Sequence, residues 1–246
     1  MTTNRLIDCQ EIHNFVAQPI PPLRFLIGSR LLPEEGKMEI CGAPGVMKSW
    51  LAQYTGFCTA AGIPWLGINT IQSRTLIINF EMTKGISHER STSMLQAIDP
   101  APDWLYTAAP GTLFIDQDDG FELFENTIRH IQPSIVILDY LGTCFSGDVN
   151  KAQDVSKLTQ KLDYIMRQYH ITIILLHHTN KNPLLTGGTD KSSGSIALPG
   201  WMDTVLYMVK QPGGIQLQFS KTRHVSFGDL QSINLEFNGG VFTRRQ

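Results

Sequence analysis

The residues with the most chemical potential in this chain are Gly42-Ala43-Pro44-Gly45-Val46-Met47-Lys48-Ser49. They fit the phosphate-cradling pattern G-x-x-x-x-G-K-[ST], except that Met47 stands where glycine is expected. In such a loop the exposed backbone N–H groups at a helix start attract phosphate. Lys48 would reach the β and γ phosphates, and the Ser49 hydroxyl would ligate Mg²⁺. The pattern is degenerate, so its setting carries the argument. The apolar run Lys37-Met38-Glu39-Ile40-Cys41 precedes it and a helical pattern from Trp50 to Ala61 follows. Strand, glycine loop and helix in that order mark Gly42 through Trp50 as a nucleotide-binding segment, with ATP and Mg²⁺ as its ligands.

Other polar groups stand at the ends of further apolar runs. Thr75 to Phe80 ends on Glu81, Ser134 to Leu138 ends on Asp139, and Ile171 to Leu176 ends on His177, His178, Thr179 and Asn180. Open parallel sheets bind ligands outside the carboxyl ends of their strands, so one site can collect all of these residues. Asp139 is placed to hold the same Mg²⁺ through water, the alternative being a turn residue. Glu81 is a candidate base for polarising an attacking water, although Glu is also common at strand ends. His178 and Asn180 are candidates to sense the γ phosphate or relay its loss to the following loop, and a pair of sheet-edge histidines, His177 and His178, is the competing reading.

These residues need a framework, and the rest of the chain supplies its outline. Short apolar runs alternate with helical patterns, as in parallel strands joined by crossover helices. Val155, Leu158, Leu162, Ile165, Met166 and Tyr169 form the stripe of an amphipathic helix. Alternating runs at 204–209, 215–220 and 232–237 suggest antiparallel strands extending the sheet. The expected fold is therefore α/β, a mostly parallel twisted sheet flanked by helices with C-terminal antiparallel strands. Pro19, Pro21, Pro22 and Pro33 mark residues 1–32 as an N-terminal arm or linker ahead of a domain spanning 33–246. Within the arm, Ile7, Ile12, Phe15 and Val16 could form one apolar helical face for an adjacent subunit, a frayed tail being the alternative. Residues 181–200 read as a long Gly/Ser-rich loop, a length usually functional or mobile.

Composition narrows the function. The 246 residues are 42% hydrophobic and 17% charged, with a formal net charge of −2. That excludes a disordered chain and nucleic-acid binding by bulk charge alone, so any such contact must be local. No apolar stretch approaches the roughly 20 residues of a membrane helix, and the first residues show no signal-peptide pattern. The expectation is a cytoplasmic protein with no membrane partner. Cys9, Cys41, Cys58 and Cys144 are widely spaced and read as reduced, buried thiols.

Taken in order and spacing, these segments resemble the RecA-like P-loop ATPases of the group containing hexameric RepA-type plasmid replicative helicases. The resemblance covers residues 20–230 and rests on Leu32-Pro33 with Gly36, Gly42 to Ser49, Asn79-Phe80-Glu81-Met82, Leu138-Asp139-Tyr140-Leu141 and Leu176-His177-His178-Thr179-Asn180-Lys181. Ser192-Ser193-Gly194-Ser195 followed by Trp201-Met202-Asp203-Thr204-Val205-Leu206 completes it. It implies that Glu81 is the catalytic glutamate. It also implies that Phe219-Ser220-Lys221-Thr222-Arg223-His224 offers basic groups to a nucleotide on the neighbouring subunit, with Arg223 as arginine finger and Lys221 beside it. A surface strand with ordinary basic residues is the plain alternative.

Two function classes follow. The first is ATP hydrolysis coupled to DNA binding or translocation by a homo-oligomeric ring, implied to be a hexamer. Its loops at 181–200, including Lys181 and Lys191, would contact single-stranded DNA. The second is a nucleotide-gated switch or loader of a mobile element or defence system, with little unwinding. Either would act with replication or mobile-element partner proteins. A small-molecule kinase fits less well, because Glu81 and the Arg223 strand suit hydrolysis across a subunit interface.

Overall fold

The structure is a computed structural model that describes residues 9–178, 197–226 and 230–245. Its centre is a sheet built in chain order from β3 (Lys37–Gly42), β4 (Thr75–Asn79), β5 (Leu105–Ala108), β6 (Ile135–Asp139), β7 (Thr172–His178), β8 (Thr204–Gln211), β9 (Gly214–Thr222), β10 (Ile233–Asn238) and β11 (Val241–Arg244). The spatial order is β11-β10-β9-β8-β3-β7-β6-β4-β5. Strands β8 to β5 run parallel, and β9, β10 and β11 continue the sheet antiparallel. The run at 204–209, read from the sequence as antiparallel, thus joins β3 in parallel and opens the antiparallel part only on its other side. The long connection after β7, which includes α7 (Ala197–Trp201), returns the chain to the starting end of the sheet, as a parallel pairing requires.

Helices cover both faces, which explains why the central strands read as unbroken apolar runs. On one face lie α2 (Lys48–Ala61) and α3 (Lys84–Leu95), with Leu51, Phe57 and Cys58 packed on Ile40, Ile77 and Ile137. Gly56 lets α2 approach closely, since a Cβ there would lie 2.7 Å from Ile77 Cδ1. On the other face lie α4 (Asp118–Ile131), α5 (Leu141–Cys144) and α6 (Ala152–Tyr169). Val155, Leu158, Leu162, Ile165 and Met166 of α6 are all buried there, against a cluster that includes Leu138, Ile173 and Leu175. Each such fully buried aliphatic side chain contributes about 1.5–3 kcal/mol.

The hairpin β10–β11 is fastened to α2 by an aromatic row. Tyr54 lies 5.8 Å from Phe242, Phe242 4.9 Å from Phe237, and Phe237 5.0 Å from Trp50, between ring centroids. Before β3, a short antiparallel pair, β1 (Phe25–Ile27) with β2 (Leu32–Pro33), buries Leu26, Ile27, Leu31 and Leu32 in the core. The segment read as an arm therefore contributes its last residues to the domain. Ahead of them α1 (Ile12–Val16) buries no residue and leaves Ile12, Phe15 and Val16 exposed. Ile7 lies outside the described residues, and Cys9, expected to be buried, is exposed because this segment packs on nothing among them, whereas Cys41, Cys58 and Cys144 are buried.

Candidate active site

Register places the strand ends side by side: Gly42 faces His178, and Asn79 faces Asp139. The carboxyl ends of β3, β7, β6 and β4 therefore form one ledge, as the sequence pattern requires. The loop from β3 into α2 rises from it. At Gly42, with φ +156°, a Cβ would lie 2.6 Å from the Met208 carbonyl oxygen, so only glycine lets the chain leave β3 against β8. Met47 precedes α2 with φ 64° and ψ 28°. That left-handed conformation is why glycine is usual there, and a side-chain-bearing residue costs about 1–2 kcal/mol. Its side chain is 39% exposed and recovers little through packing.

Lys48, in the first turn of α2, is folded back over the loop. Its Nζ donates to the carbonyls of Gly42 and Ala43, each at 2.9 Å, and lies 3.1 Å from His178 Nδ1. Burial pulls the Lys48 pKa down to about 8, opposed first by the Asp139 carboxylate. With Lys48 charged, His178 accepts through Nδ1 and is neutral. Burial and then the Lys48 charge hold the His178 pKa below its ordinary value. The Tyr140 ring meets the His178 ring edge-on at 4.4 Å and fixes its orientation.

Ser49 Oγ donates to Asp139 Oδ1 at 3.1 Å, and Asn79 Nδ2 donates to Asp139 Oδ2 at 2.6 Å. Asp139 is almost wholly buried, and burial pushes its pKa up to about 6, against the lowering effect of the Ser49 hydroxyl. The paired hydroxyl and carboxylate are hard oxygen donors of the kind Mg²⁺ prefers. Among the described residues no group of three or more His, Cys, Asp or Glu is placed to hold a metal. A magnesium ion at Ser49 and Asp139 would therefore complete its shell with phosphate and water oxygens, the usual arrangement for that ion.

Glu81 follows β4 and is exposed, its backbone N–H held by Asn79 Oδ1 at 3.1 Å. The same oxygen accepts from Met82 N at 2.6 Å, and Phe80 N donates to the Asp139 carbonyl at 2.8 Å. The turn carrying Glu81 is thereby tied to the end of β6. Its carboxylate is near enough for its charge to act on Lys48, Asp139, Arg90 and His178.

The structure thus brings together Gly42 to Ser49, Glu81, Asp139 and His178. Trp50 belongs to the same turn of α2 but points into the aromatic row, covered by Phe237 and by the Arg90 guanidinium 4.7 Å over its ring. Lys221 and Arg223 lie elsewhere. Thr222 pairs with Thr204, which pairs with Met38, whereas the P-loop leaves β3 opposite Met208. At about 3.3 Å per residue the two ends of that ladder are about 13 Å apart, beyond the reach of these side chains toward their own P-loop. Asn180, Lys181 and Lys191 lie outside the described residues, which include only the last part of 181–200, as α7.

Three neighbours of the site carried no role in the sequence reading. Asn79 and Tyr140 sit inside its quoted motifs, but nothing in their types announced that one orients Asp139 and Glu81 and the other His178. Arg90, on α3, has a buried Nη1 with no hydrogen-bond partner among the described residues, and the Asp139 and Glu81 charges act on it. Its helix shows no apolar periodicity, so only the fold brings it here.

The protein family described as AAA domain matches residues 3–183. No curated protein matches the chain. Among solved structures, one described as an ATPase domain aligns with a TM-score of 0.66 and 13% identity, covering 87% of this chain and 86% of that one. The RadB recombinase aligns at 0.63 and 14%, covering 87% and 92%. A KaiC-like protein from the hyperthermophilic archaeon Pyrococcus horikoshii aligns at 0.65 and 11%, covering 92% and 100%. At these identities the likeness is one of fold. Among the described residues no helix is long and apolar enough to cross a membrane.

Proposed function

The chain belongs to the AAA domain family and has the RecA-like P-loop ATPase fold, and from that premise we propose that it is a ring-forming motor ATPase coupling ATP hydrolysis to DNA binding or translocation, as RepA-type replicative helicases do. The observation that carries this reading is the division of polar and charged groups between the two ends of the sheet. Lys48, Ser49, Asp139, His178 and Glu81 surround the P-loop, while Lys221 and Arg223 stand at the far end. In a head-to-tail ring, the far end of one subunit would supply those cations to the P-loop of the next.

In this proposal the loop Gly42 to Ser49 cradles the phosphates and Trp50 braces its helix. Ser49 and Asp139 would hold Mg²⁺, which when bound would supply charge neutralisation at the phosphates. Glu81 takes a proton from the attacking water, Lys48 and His178 bind the γ-phosphate side, and Arg223 with Lys221 stabilises transition-state charge in trans. Residues 181–200 contact single-stranded DNA, and the assembly is a homo-oligomer, a hexamer by the resemblance. The structural neighbour described as an ATPase domain and the RadB recombinase neighbour support a reading of this class.

A second reading, a nucleotide-gated switch or loader with little unwinding, is favoured by one observation, the strained Met47 at the P-loop. Steady-state ATP hydrolysis with and without single-stranded DNA, beside Lys48→Ala and Arg223→Ala, separates the two. Strong stimulation lost in both variants supports the assembled motor. ATP binding with almost no hydrolysis under either condition would overturn it and leave the switch.

A further inference from the structure

At the end of the sheet away from the P-loop, Asp203 precedes β8 and Arg223 follows β9, just beyond the Thr204–Thr222 pair. Arg223 N donates to the Asp203 carbonyl at 2.9 Å, and Arg223 Nη1 donates to Asp203 Oδ1 at 2.7 Å. The carboxylate is itself fixed. Its Oδ2 accepts from the backbone N–H of Lys37 at 2.9 Å, and Asp203 N donates to the Lys37 carbonyl at 2.9 Å. Asp203 is thus locked to the first residue of the strand that leads into the P-loop. The Asp203 side chain is 8% exposed and that of Arg223 48%.

A buried, immobile carboxylate therefore grips a half-exposed guanidinium by one nitrogen. Arginine has five N–H donors, so this grip leaves most of its binding capacity free. Nη2 makes only a long contact, 3.4 Å, to the Gly200 carbonyl. Lys221 is held beside it, Nζ donating to the carbonyls of Pro199 at 2.7 Å and Gly200 at 3.1 Å, in α7. We propose that Asp203 is the positioning residue of Arg223: it fixes the guanidinium through Nη1 and leaves the other N–H donors to meet the phosphates of the neighbouring subunit. The proposal rests on the reading of Arg223 as a finger. Its physical basis is entropy, because an arginine side chain carries rotamer freedom that a fixed carboxylate removes before the partner arrives. A bare surface ion pair would add little to folding and nothing to turnover.

The test uses the full chain with saturating single-stranded DNA and ATP varied through saturation. Asp203→Asn keeps an acceptor for the Lys37 N–H and turns an amide donor toward Arg223. Asp203→Glu keeps the charge and displaces it by one methylene, and it carries the test if the Asn variant does not fold. Each is expected to lose roughly ten- to hundredfold in turnover with KM for ATP nearly unchanged. Asp203→Asn/Arg223→Ala is expected to match Arg223→Ala alone. Mixing Asp203→Asn with Lys48→Ala subunits is expected to restore turnover, because the intact Asp203–Arg223 pair of the latter serves the intact P-loop of the former. Wild-type or raised turnover in both Asp203 variants, with Arg223→Ala impaired, would overturn the positioning role, as would a defect that mixing does not relieve. Wild-type turnover in Arg223→Ala would instead sink the finger reading, and the proposal with it.

Discussion

Asp139→Asn is expected to stabilise the nucleotide-free protein while removing the proposed magnesium ligand. Burial raises the Asp139 pKa from 3.8 to about 6. The difference, about 2 pH units at 1.36 kcal/mol each, is about 3 kcal/mol by which the fold disfavours the charged form. The sign follows from proton binding. Between about pH 4 and 6 the folded state holds this proton more tightly than the unfolded chain, so stability falls as pH rises through that window and is flat above it. Asparagine fits the same contacts, its oxygen accepting from Asn79 Nδ2 and its amide donating to Ser49 Oγ, in place of the bonds at 2.6 and 3.1 Å. The variant should therefore exceed wild type by about 3 kcal/mol at pH 7.5 and by only about 1 kcal/mol at pH 4.5, where wild-type Asp139 is largely protonated. Urea unfolding of both proteins at the two pH values, without nucleotide or Mg²⁺, measures the gap. An Asn variant that is less stable than wild type at pH 7.5, or a gap that does not shrink at pH 4.5, would refute the argument that burial of charge dominates this site.

Met47→Gly relieves the left-handed backbone and is expected to raise stability by about 0.5–1 kcal/mol, read as a higher melting temperature. A lower one would mean that the exposed methionine packs better than its 39% exposure indicates. Gly42→Ala places a methyl 2.6 Å from the Met208 carbonyl and should cost about 2 kcal/mol or more in urea unfolding, with ATP binding weakened alongside. Lys48, with its pKa near 8 in the nucleotide-free protein, is expected to lose its charge as pH rises past that value. ATP affinity measured by titration calorimetry should then weaken between pH 8 and 9, and a flat profile there would contradict that assignment.

Much of this protein was legible in its sequence because the relevant signals are local. Strand, glycine loop and helix follow one another around Gly42 to Ser49, and no distant residue is needed to see that a phosphate fits there. The strands ending on Glu81, Asp139 and His178 announced themselves as apolar runs, since a sheet covered on both faces leaves little place for polar side chains. The stripe of α6 was equally plain, and Phe121, Phe124, Ile128 and Ile131 give α4 a comparable one. In α3 no stripe exists, because only Ser87 and Met94 are buried. What the tertiary structure alone decided is which distant groups meet. Asn79 locks Asp139 only because β4 lies beside β6, and Arg90 covers Trp50 only because α3 packs over α2. Register likewise puts Arg223 and its buried partner Asp203 at the end of the sheet away from Lys48. Residue type and local spacing specify what a side chain can do, whereas hydrogen-bonded register across strands far apart in the chain decides what it does it to.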